Sequence, residues 1–177
     1  MAFNVRAKEK LGPLMAKYGY QIIEDNRYGI EFGSGNRGFR LVHNPLEYSY
    51  EIEVVSSEWV GLDLTNRSVI EFFDSDIDID VKTEAEFLDA VVSFLRGPAQ
   101  ALLASDEEEW KRFQSYKKAI TKQYNENYHL CIKLELAARL WRKQEYAEFV
   151  KLLEEVGSEN ISPAFRKRLE IAKSHLS

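Results

Sequence analysis

Residues 47–55 read EYSYEIEVV, and apolar and polar side chains alternate strictly along this stretch. A period of two is typical of a strand buried on one face only, as in an antiparallel sheet. A slip of one residue would bury the polar set instead, so the register is strongly specified. The stretch therefore predicts a strand with four inward side chains: Tyr48, Tyr50, Ile52 and Val54.

The same period continues on both sides of this strand. Short alternating stretches occur upstream at 20–23, 28–32 and 39–43 and downstream at 60–64. The connectors between them are short and rich in turn residues, which favours pairing of consecutive strands. The sequence predicts an antiparallel meander over residues 20–64, preceded by a helix at 3–18 that is either kinked or split at its Gly-Pro pair.

From residue 83 onward the apolar period is helical. Thr83 and Glu86 form a capping box, and a helix opened there should end at Gly97. The fold class is therefore α+β: an antiparallel β-meander flanked by helices, followed by an α-helical hairpin region. The predicted domains are residues 1–104, with the sheet, and 105–177, either separate or packed with the first. The later helices are expected at 105–124, 126–142, 145–156 and after Ser162-Pro163.

Residues 66–82 allow two interpretations. The Val-Ile-Glu-Phe-Phe stretch at 69–73 fits either a helical turn or a strand. The Asp-Ile-Asp-Ile-Asp stretch at 76–80 alternates strictly, which suggests a short edge strand, although aspartate is a poor strand former.

Composition limits the class of protein. The net charge is −5, and residues 66–104 carry eight acidic side chains against three basic ones. Because affinity for phosphates depends on clustered Lys and Arg, we expect no nucleic-acid ligand.

The sequence has no apolar stretch long enough to cross a membrane and no apolar run at its start. With Cys131 as the only cysteine, predicted to be a buried, unreactive thiol, we expect a cytoplasmic protein.

Two motifs resemble ligand sites by spacing alone. Residues 33–38 match G-x-G-x-x-G, but a strand pattern follows the glycines where a nucleotide site has a helix, so the stretch predicts a hairpin loop. Residues 74–80 resemble the first ligands of a calcium loop, but the required Gly and Glu are missing in both possible frames. The sequence thus predicts no cofactor and no metal.

The outward side chains of the predicted sheet carry charge on several strands. Three arrangements are open for them: cross-strand pairing on a solvated face, cover by a helix, or contact with a partner. The residues are Glu31, Arg40, Glu47, Glu51 and Glu53.

The stretch KYGYQIIEDNRYGIEFGSGNRGFRLVHNPLEYSYEIEV, at 17–54, follows a leading helix that ends in Tyr-Gly-Tyr. With its meander it resembles the α+β domains of small uncharacterised bacterial proteins, including immunity proteins against polymorphic toxins. The resemblance implies a stoichiometric binder and carries no functional residue over. The acidic stretch at 71–80 fits that role independently, because many toxin active sites are basic clefts that a carboxylate-rich surface complements.

The sequence therefore predicts a non-enzymatic protein-binding protein with no catalytic residue, whose partner is basic. The alternatives are an adaptor or scaffold acting through the C-terminal helices, or an enzyme of unrecognised class that uses sheet carboxylates such as Glu51 or Asp63. The acidic residues could also serve only to keep an edge soluble. The candidate partner-binding residues are Trp59, Glu71, Phe72, Phe73, Asp74, Asp76, Asp78 and Asp80.

Overall fold

The computed structural model describes residues 2–56 and 59–176, and side chains are described for 2–56 and 61–176. The chain divides into two compact units, Met1–Lys117 and Lys118–Ser177. Each unit has its own cluster of buried apolar side chains.

The first unit contains the predicted antiparallel meander. Its strands pair in the order β1-β2-β3-β4-β5, each antiparallel to the next. The helix that precedes them runs unbroken through Pro13. The elements are α1 (Phe3–Lys17), β1 (Gln21–Asn26), β2 (Gly29–Ser34), β3 (Arg37–Asn44), β4 (Ser49–Ser56) and β5 (Trp59–Leu64).

The glycine-rich stretch at 33–38 is the hairpin connection between β2 and β3, as the sequence predicted. Ser34 pairs with Arg37 across a two-residue turn, and Gly35 in that turn has a φ of 62°. A positive φ at the first turn position suits glycine, because a Cβ there would be strained.

Four helices follow the sheet. Thr83 caps α3: its hydroxyl oxygen accepts a hydrogen bond from the Glu86 amide at 3.3 Å, and the helix ends before Gly97 as expected. The fourth of these helices begins in the first unit and continues into the second. Their bounds are α2 (Asn66–Glu71), α3 (Glu84–Arg96), α4 (Gln100–Leu103) and α5 (Glu107–Lys143).

The core of the first unit lies between the inner face of the sheet and the helices α1 and α3. Alternate residues of the central strands are fully buried there, which is what a period of two places on one face. The largest buried side chains include Leu11, Met15, Phe32, Phe39, Leu41, Ile52, Phe87 and Phe94.

One inward residue of the decisive stretch was predicted wrongly. Ile52 and Val54 are buried and Tyr50 is half-buried, but Tyr48 is 82% exposed. Strand β4 begins only at Ser49, and Tyr48 has a φ of 52° in the turn before it. A residue in the left-handed region breaks the alternation, so the turn carries this ring away from the core.

The predicted edge strand at 76–80 is also wrong. Residues 74–80 have no regular secondary structure and pair with no strand among the described residues, Asp74 has a φ of 49°, and α2 replaces the start of the ambiguous segment. Side chains satisfy this backbone: the Ile79 amide donates to Asn66 Oδ1 at 2.8 Å, and the Asp80 amide donates to Asp78 Oδ1 at 2.9 Å. Local bonds from aspartate and asparagine therefore compete successfully with strand pairing.

The helices predicted at 105–124 and 126–142 are one helix, α5. It is capped by Asp106, whose Oδ1 accepts from the Glu109 amide at 2.9 Å. The asparagines near residue 126 do not end it, because the segment has no Gly or Pro. Trp110 and Phe113 of its first turns pack into the core of the first unit, which extends to Lys117.

The second unit consists of the rest of α5 and two shorter helices. Ser162 caps the last helix as predicted, because its Oγ accepts from the Phe165 amide at 3.4 Å. Cys131 is exposed, so the prediction of a buried thiol is wrong. Besides a short 3₁₀ helix (Ser158–Asn160), the elements are α6 (Tyr146–Val156) and α7 (Pro163–Leu176), and the buried set is Ala137, Phe149, Leu153, Val156, Ile161 and Ala172.

We expect Phe39→Ala to lower the free energy of unfolding by about 3–5 kcal/mol, because it empties a fully buried site beside Tyr20 and Trp110. Tyr48→Ala removes an exposed ring and should change the same quantity by less than about 0.5 kcal/mol. Urea unfolding followed by circular dichroism measures both. Equal losses in the two variants would contradict the assignment of faces.

Candidate functional site

One residue from each strand forms a row across the outer face of the sheet. Glu24 pairs with Glu31, Glu31 with Arg40, Arg40 with Glu53, and Glu53 with Asp63. Residues opposite each other in register point to the same side, so these side chains share the face that turns away from the core. The row contains four carboxylates and one guanidinium.

Arg40 bridges two of these carboxylates. Its Nε donates to Glu31 Oε2 at 2.7 Å, and its Nη1 donates to Glu53 Oε2 at 3.0 Å. The side chain of Arg40 is one-third exposed, whereas that of Glu31 is only 9% exposed. Burial disfavours the guanidinium charge, but the hydrogen bond and charge of Glu31, together with Glu53 and Glu24, raise the pKa of Arg40 above its ordinary value.

For Glu53, in contrast to Arg40, burial outweighs the attraction of the neighbouring opposite charge. Burial is the largest influence and raises the pKa of its carboxyl, and the attraction of Arg40 only partly offsets it. The neighbouring charges of Asp63 and Glu51 raise the pKa further. The row is therefore richer in negative charge than Arg40 alone can neutralise.

Two cavities lie on the outer face, and Glu31 lines both. One, of about 530 Å³, extends toward the β2–β3 hairpin past Gly33 and Gly38. The other, of about 380 Å³, extends the opposite way past Gly29 and includes Arg40. At Gly33 the side chain of Ile23 occupies the space over the strand, since a Cβ there would lie 2.8 Å from Ile23 Cδ1. At Gly38 the neighbouring backbone also comes close, since a Cβ would lie 2.6 Å from the carbonyl oxygen of Phe32.

Residues 74–80, which we call the acidic segment, are the aspartate-rich part of the predicted acidic stretch at 71–80, and they present their aspartates to solvent. All four of its carboxylates are exposed, whereas Ile79 between them is buried and Ile77 is half-buried. Asn66 holds the segment in place, because its Nδ2 donates to Asp78 Oδ1 at 2.6 Å. The exposed aspartates are Asp74, Asp76, Asp78 and Asp80.

The acidic segment adjoins the sheet through a third cavity. This cavity has a volume of about 330 Å³, and three carboxylates line it: Glu51, Asp63 and Asp80. Lys117 is the nearest cation on the sheet side, where its Nζ donates to the carbonyl oxygen of Asp63 at 2.6 Å. Burial lowers the pKa of Lys117, and the charge of Asp63 opposes this shift. We define Glu51, Asp63, Asp76, Asp78 and Asp80 as the acidic surface.

Glu71 is committed to contacts within its own unit. Its Oε1 accepts from Arg67 Nε at 2.7 Å, and its Oε2 accepts from the Tyr116 hydroxyl at 3.0 Å. These hydrogen bonds lower the pKa of Glu71. The structure therefore places this residue beside the acidic segment but pairs its charge internally.

The adjacent phenylalanines pack inward. Phe72 and Phe73 are half-buried, with ring centroids 5.3 Å from Phe113 and 4.9 Å from Phe94 respectively. The guanidinium of Arg112 lies 5.4 Å from the centroid of Phe72. These two rings contribute mainly to the core rather than to an exposed apolar centre. The side chain of Trp59, which begins β5, lies outside the described residues, so its role in binding stays a prediction.

The sequence pattern identified part of the outer face. It placed Glu31, Arg40, Glu51 and Glu53 outward, but it could not align the strands and so missed the row that joins Glu31, Arg40 and Glu53 to Glu24 and Asp63. Of the three arrangements left open, cross-strand pairing is the one observed for Arg40. Glu47 does not belong to the face, because it precedes the start of β4.

The chain matches no protein-family model, no curated protein and no solved structure. Within residues 2–56 and 59–176, no group of three or more His, Cys, Asp or Glu side chains is arranged to hold a metal ion. Over the same residues, no helix combines the length and the apolar character needed to cross a membrane.

We expect Glu53→Gln to stabilise the protein relative to wild type increasingly as the pH rises from about 4 to about 7. The raised pKa means that the native state favours protonated Glu53, so wild-type stability falls as the pH rises through that pKa. The glutamine variant does not lose stability in this way, because its side chain does not titrate. Urea unfolding at both pH values measures the difference, with Glu51→Gln as the control for removing one charge. A difference that shrinks with rising pH would show that attraction by Arg40 outweighs burial.

Proposed function

We propose that this chain is a non-enzymatic protein-binding protein whose acidic surface docks a basic protein partner. The observation that carries the proposal is that the aspartates of the acidic segment are exposed and form no ion pair with the Lys and Arg side chains described. In the described part of the chain, no Lys or Arg forms an ion pair with Asp74, Asp76, Asp78 or Asp80. Their mutual repulsion is unfavourable and would be relieved by a partner rich in Lys or Arg.

The acidic surface is also pre-organised. Ile79 anchors the segment in the core, and Asn66 fixes it from the side through the bonds to Asp78 and to the Ile79 amide. A surface that is already ordered loses little conformational entropy when a partner binds. Order of this kind exceeds what is needed merely to keep an exposed segment soluble.

The cavity between Asp80 and the sheet suggests how a partner would be recognised. Three carboxylates around a space of about 330 Å³ complement the ammonium or guanidinium of an inserted side chain. Charges of this type mainly accelerate encounter and select the partner, while affinity comes from the desolvated contacts around them. Phe72 and Phe73 pack against the core and contribute little to that interface.

The most concrete version of this function is toxin immunity. The resemblance of residues 17–54 to domains of small bacterial proteins, some of them immunity proteins, supports it. A toxin whose active site is a basic cleft would be blocked by a matching acidic surface. In this version the chain neutralises its partner by occupying the cleft and catalyses nothing.

The enzyme alternative has less support. Glu51 and Asp63 are exposed and lie at an open cavity. Catalytic carboxylates act in sites that exclude water, where electrostatic effects are strong. The position of these two side chains suits contact with a partner better than proton transfer.

A second candidate is an adaptor that acts through the C-terminal helices, and one observation favours it. Four apolar side chains at successive intervals of four residues are exposed on α5 within the second unit, away from that unit's core. Tyr124 and Tyr128 are 68% and 56% exposed and stack on each other with centroids 6.5 Å apart. The stripe consists of Tyr124, Tyr128, Ile132 and Leu136.

We expect the combined variant Asp76→Asn, Asp78→Asn and Asp80→Asn to associate with its captured protein partner about three- to tenfold more slowly than wild type at low salt. The difference should vanish at high salt, where exposed charges are screened. Stopped-flow association over a salt series measures this, once the partner has been isolated with the wild-type chain as bait.

The matched control for that variant is Glu108→Gln, Glu148→Gln and Glu170→Gln, which removes the same charge from exposed positions elsewhere. Equal rates for wild type and the asparagine variant would leave the aspartates with a role in solubility only. A loss of binding on Tyr128→Ser instead would favour the adaptor.

A further inference from the structure

The turn between β3 and β4 exposes two apolar side chains. Leu46 is 90% exposed and Tyr48 is 82% exposed, more than any other large hydrophobic side chain among the described residues. Single exposed apolar residues are common on protein surfaces, but two such residues in one short turn form a distinct apolar feature. We call residues 45–48 the hairpin tip.

Local contacts order the hairpin tip. The Leu46 amide donates to Asn44 Oδ1 at 3.1 Å, and Pro45 between these two residues restricts the backbone. At the base of the hairpin, the ring of Tyr50 stacks on that of His43 with centroids 4.9 Å apart and packs against the core. An ordered tip loses little conformational entropy when a partner covers it.

Tyr48 has a backbone conformation that is unfavourable for tyrosine. Its φ of 52° lies in the left-handed region, which glycine or asparagine would adopt at a lower cost. The ring gains little in return from the fold, because most of it is in water. A strained residue whose side chain contributes little to the core suggests a role in binding.

The hairpin tip adjoins the acidic surface. Strand β4 begins directly after Tyr48, and its second and third residues, Tyr50 and Glu51, line the cavity of about 330 Å³. Three residues of extended chain span about 10 Å, so the backbone of Tyr48 lies within about that distance of Glu51. A partner that covers the cavity would therefore also reach the tip.

The charged residues of the hairpin tip and of the adjoining cavity are all acidic. Glu47 lies in the tip and is exposed, and the charged residues that line the cavity are Glu51, Asp63 and Asp80. In the part of the chain that the structure describes, neither Glu47 nor Glu51 forms an ion pair with a Lys or Arg. Exposed apolar groups beside unpaired carboxylates complement a surface that is both apolar and basic.

We propose that Leu46 and Tyr48 are the apolar anchors of the acidic surface and insert into an apolar recess of the basic protein partner, bordered there by Lys or Arg. This inference rests on the proposed function, because it assigns the apolar part of the same interface. Buried anchors supply most of the affinity of an interface and act on the rate of dissociation. Exposed charges act mainly on the rate of association, so kinetics can separate the two kinds of contact.

The probe is a phage-displayed library of random dodecapeptides, selected on the full-length protein, from which the enriched peptides are synthesised. We expect these peptides to combine aromatic or aliphatic residues with Lys or Arg. The tip variant Leu46→Ser, Tyr48→Asn should bind them about tenfold more weakly than wild type in isothermal titration calorimetry. Asparagine accepts a positive φ, so this variant keeps the turn, and circular dichroism checks that it is folded.

The control variant is Tyr128→Ser, Ile132→Ser, which removes an exposed aromatic and an exposed aliphatic side chain from the second unit. It should bind the peptides as wild type does. No enrichment of basic peptides, equal binding by the tip variant, or a loss of binding in the control variant would overturn the assignment. If the double tip variant does not fold, Tyr48→Asn alone makes the comparison.

Kinetics with the captured partner separate this inference from the proposed function. The tip variant should dissociate about tenfold faster than wild type and associate at the same rate, whereas the triple asparagine variant should only associate more slowly. Faster dissociation of the tip variant with unchanged association of the asparagine variant would refute docking by charge and keep the anchors. Slower association of the asparagine variant with unchanged dissociation of the tip variant would refute the anchors and keep the docking surface.

Discussion

The bridge that Arg40 forms from Glu31 to Glu53 is the interaction on which the outer face of the sheet depends. It joins β2, β3 and β4 through side chains at 2.7 and 3.0 Å, on the face opposite the core. Removing the guanidinium would leave largely buried carboxylates facing one another, which is more costly than never having placed them there. Burial of the inner face sets the register that brings Glu31, Arg40 and Glu53 together, and the bridge then partly neutralises the charge of the outer face.

The acidic segment and the sheet both hold their carboxylates outward, but different hydrogen bonds fix the backbone in each. In both, alternate apolar side chains enter the core while carboxylates face outward, so burial fixes the position of the charges. The sheet does this with strand pairing, and residues 74–80 do it with side-chain bonds from Asn66 and Asp78. The result is an ordered acidic surface that continues across two kinds of structure, which is what recognition of a basic partner requires.

Local patterns predicted the elements better than the site. Alternation gave the meander and the outward set that includes Arg40, because a period of two depends only on which face is buried. Tyr48 was misplaced because a positive φ ended the pattern, and α5 was predicted as two helices although its segment contains neither Gly nor Pro. The row from Glu24 to Asp63 depends on strand register between distant residues, which one sequence does not contain.

The central claim is that the first unit recognises a protein partner through its acidic surface and the adjoining outer face. Hydrogen–deuterium exchange of the chain, alone and with its isolated partner, tests this most directly. The account predicts slower exchange on binding in β4, β5 and residues 74–80, with little change in α6 and α7. Protection confined to the C-terminal helices, with the sheet and the acidic segment unchanged, would contradict it.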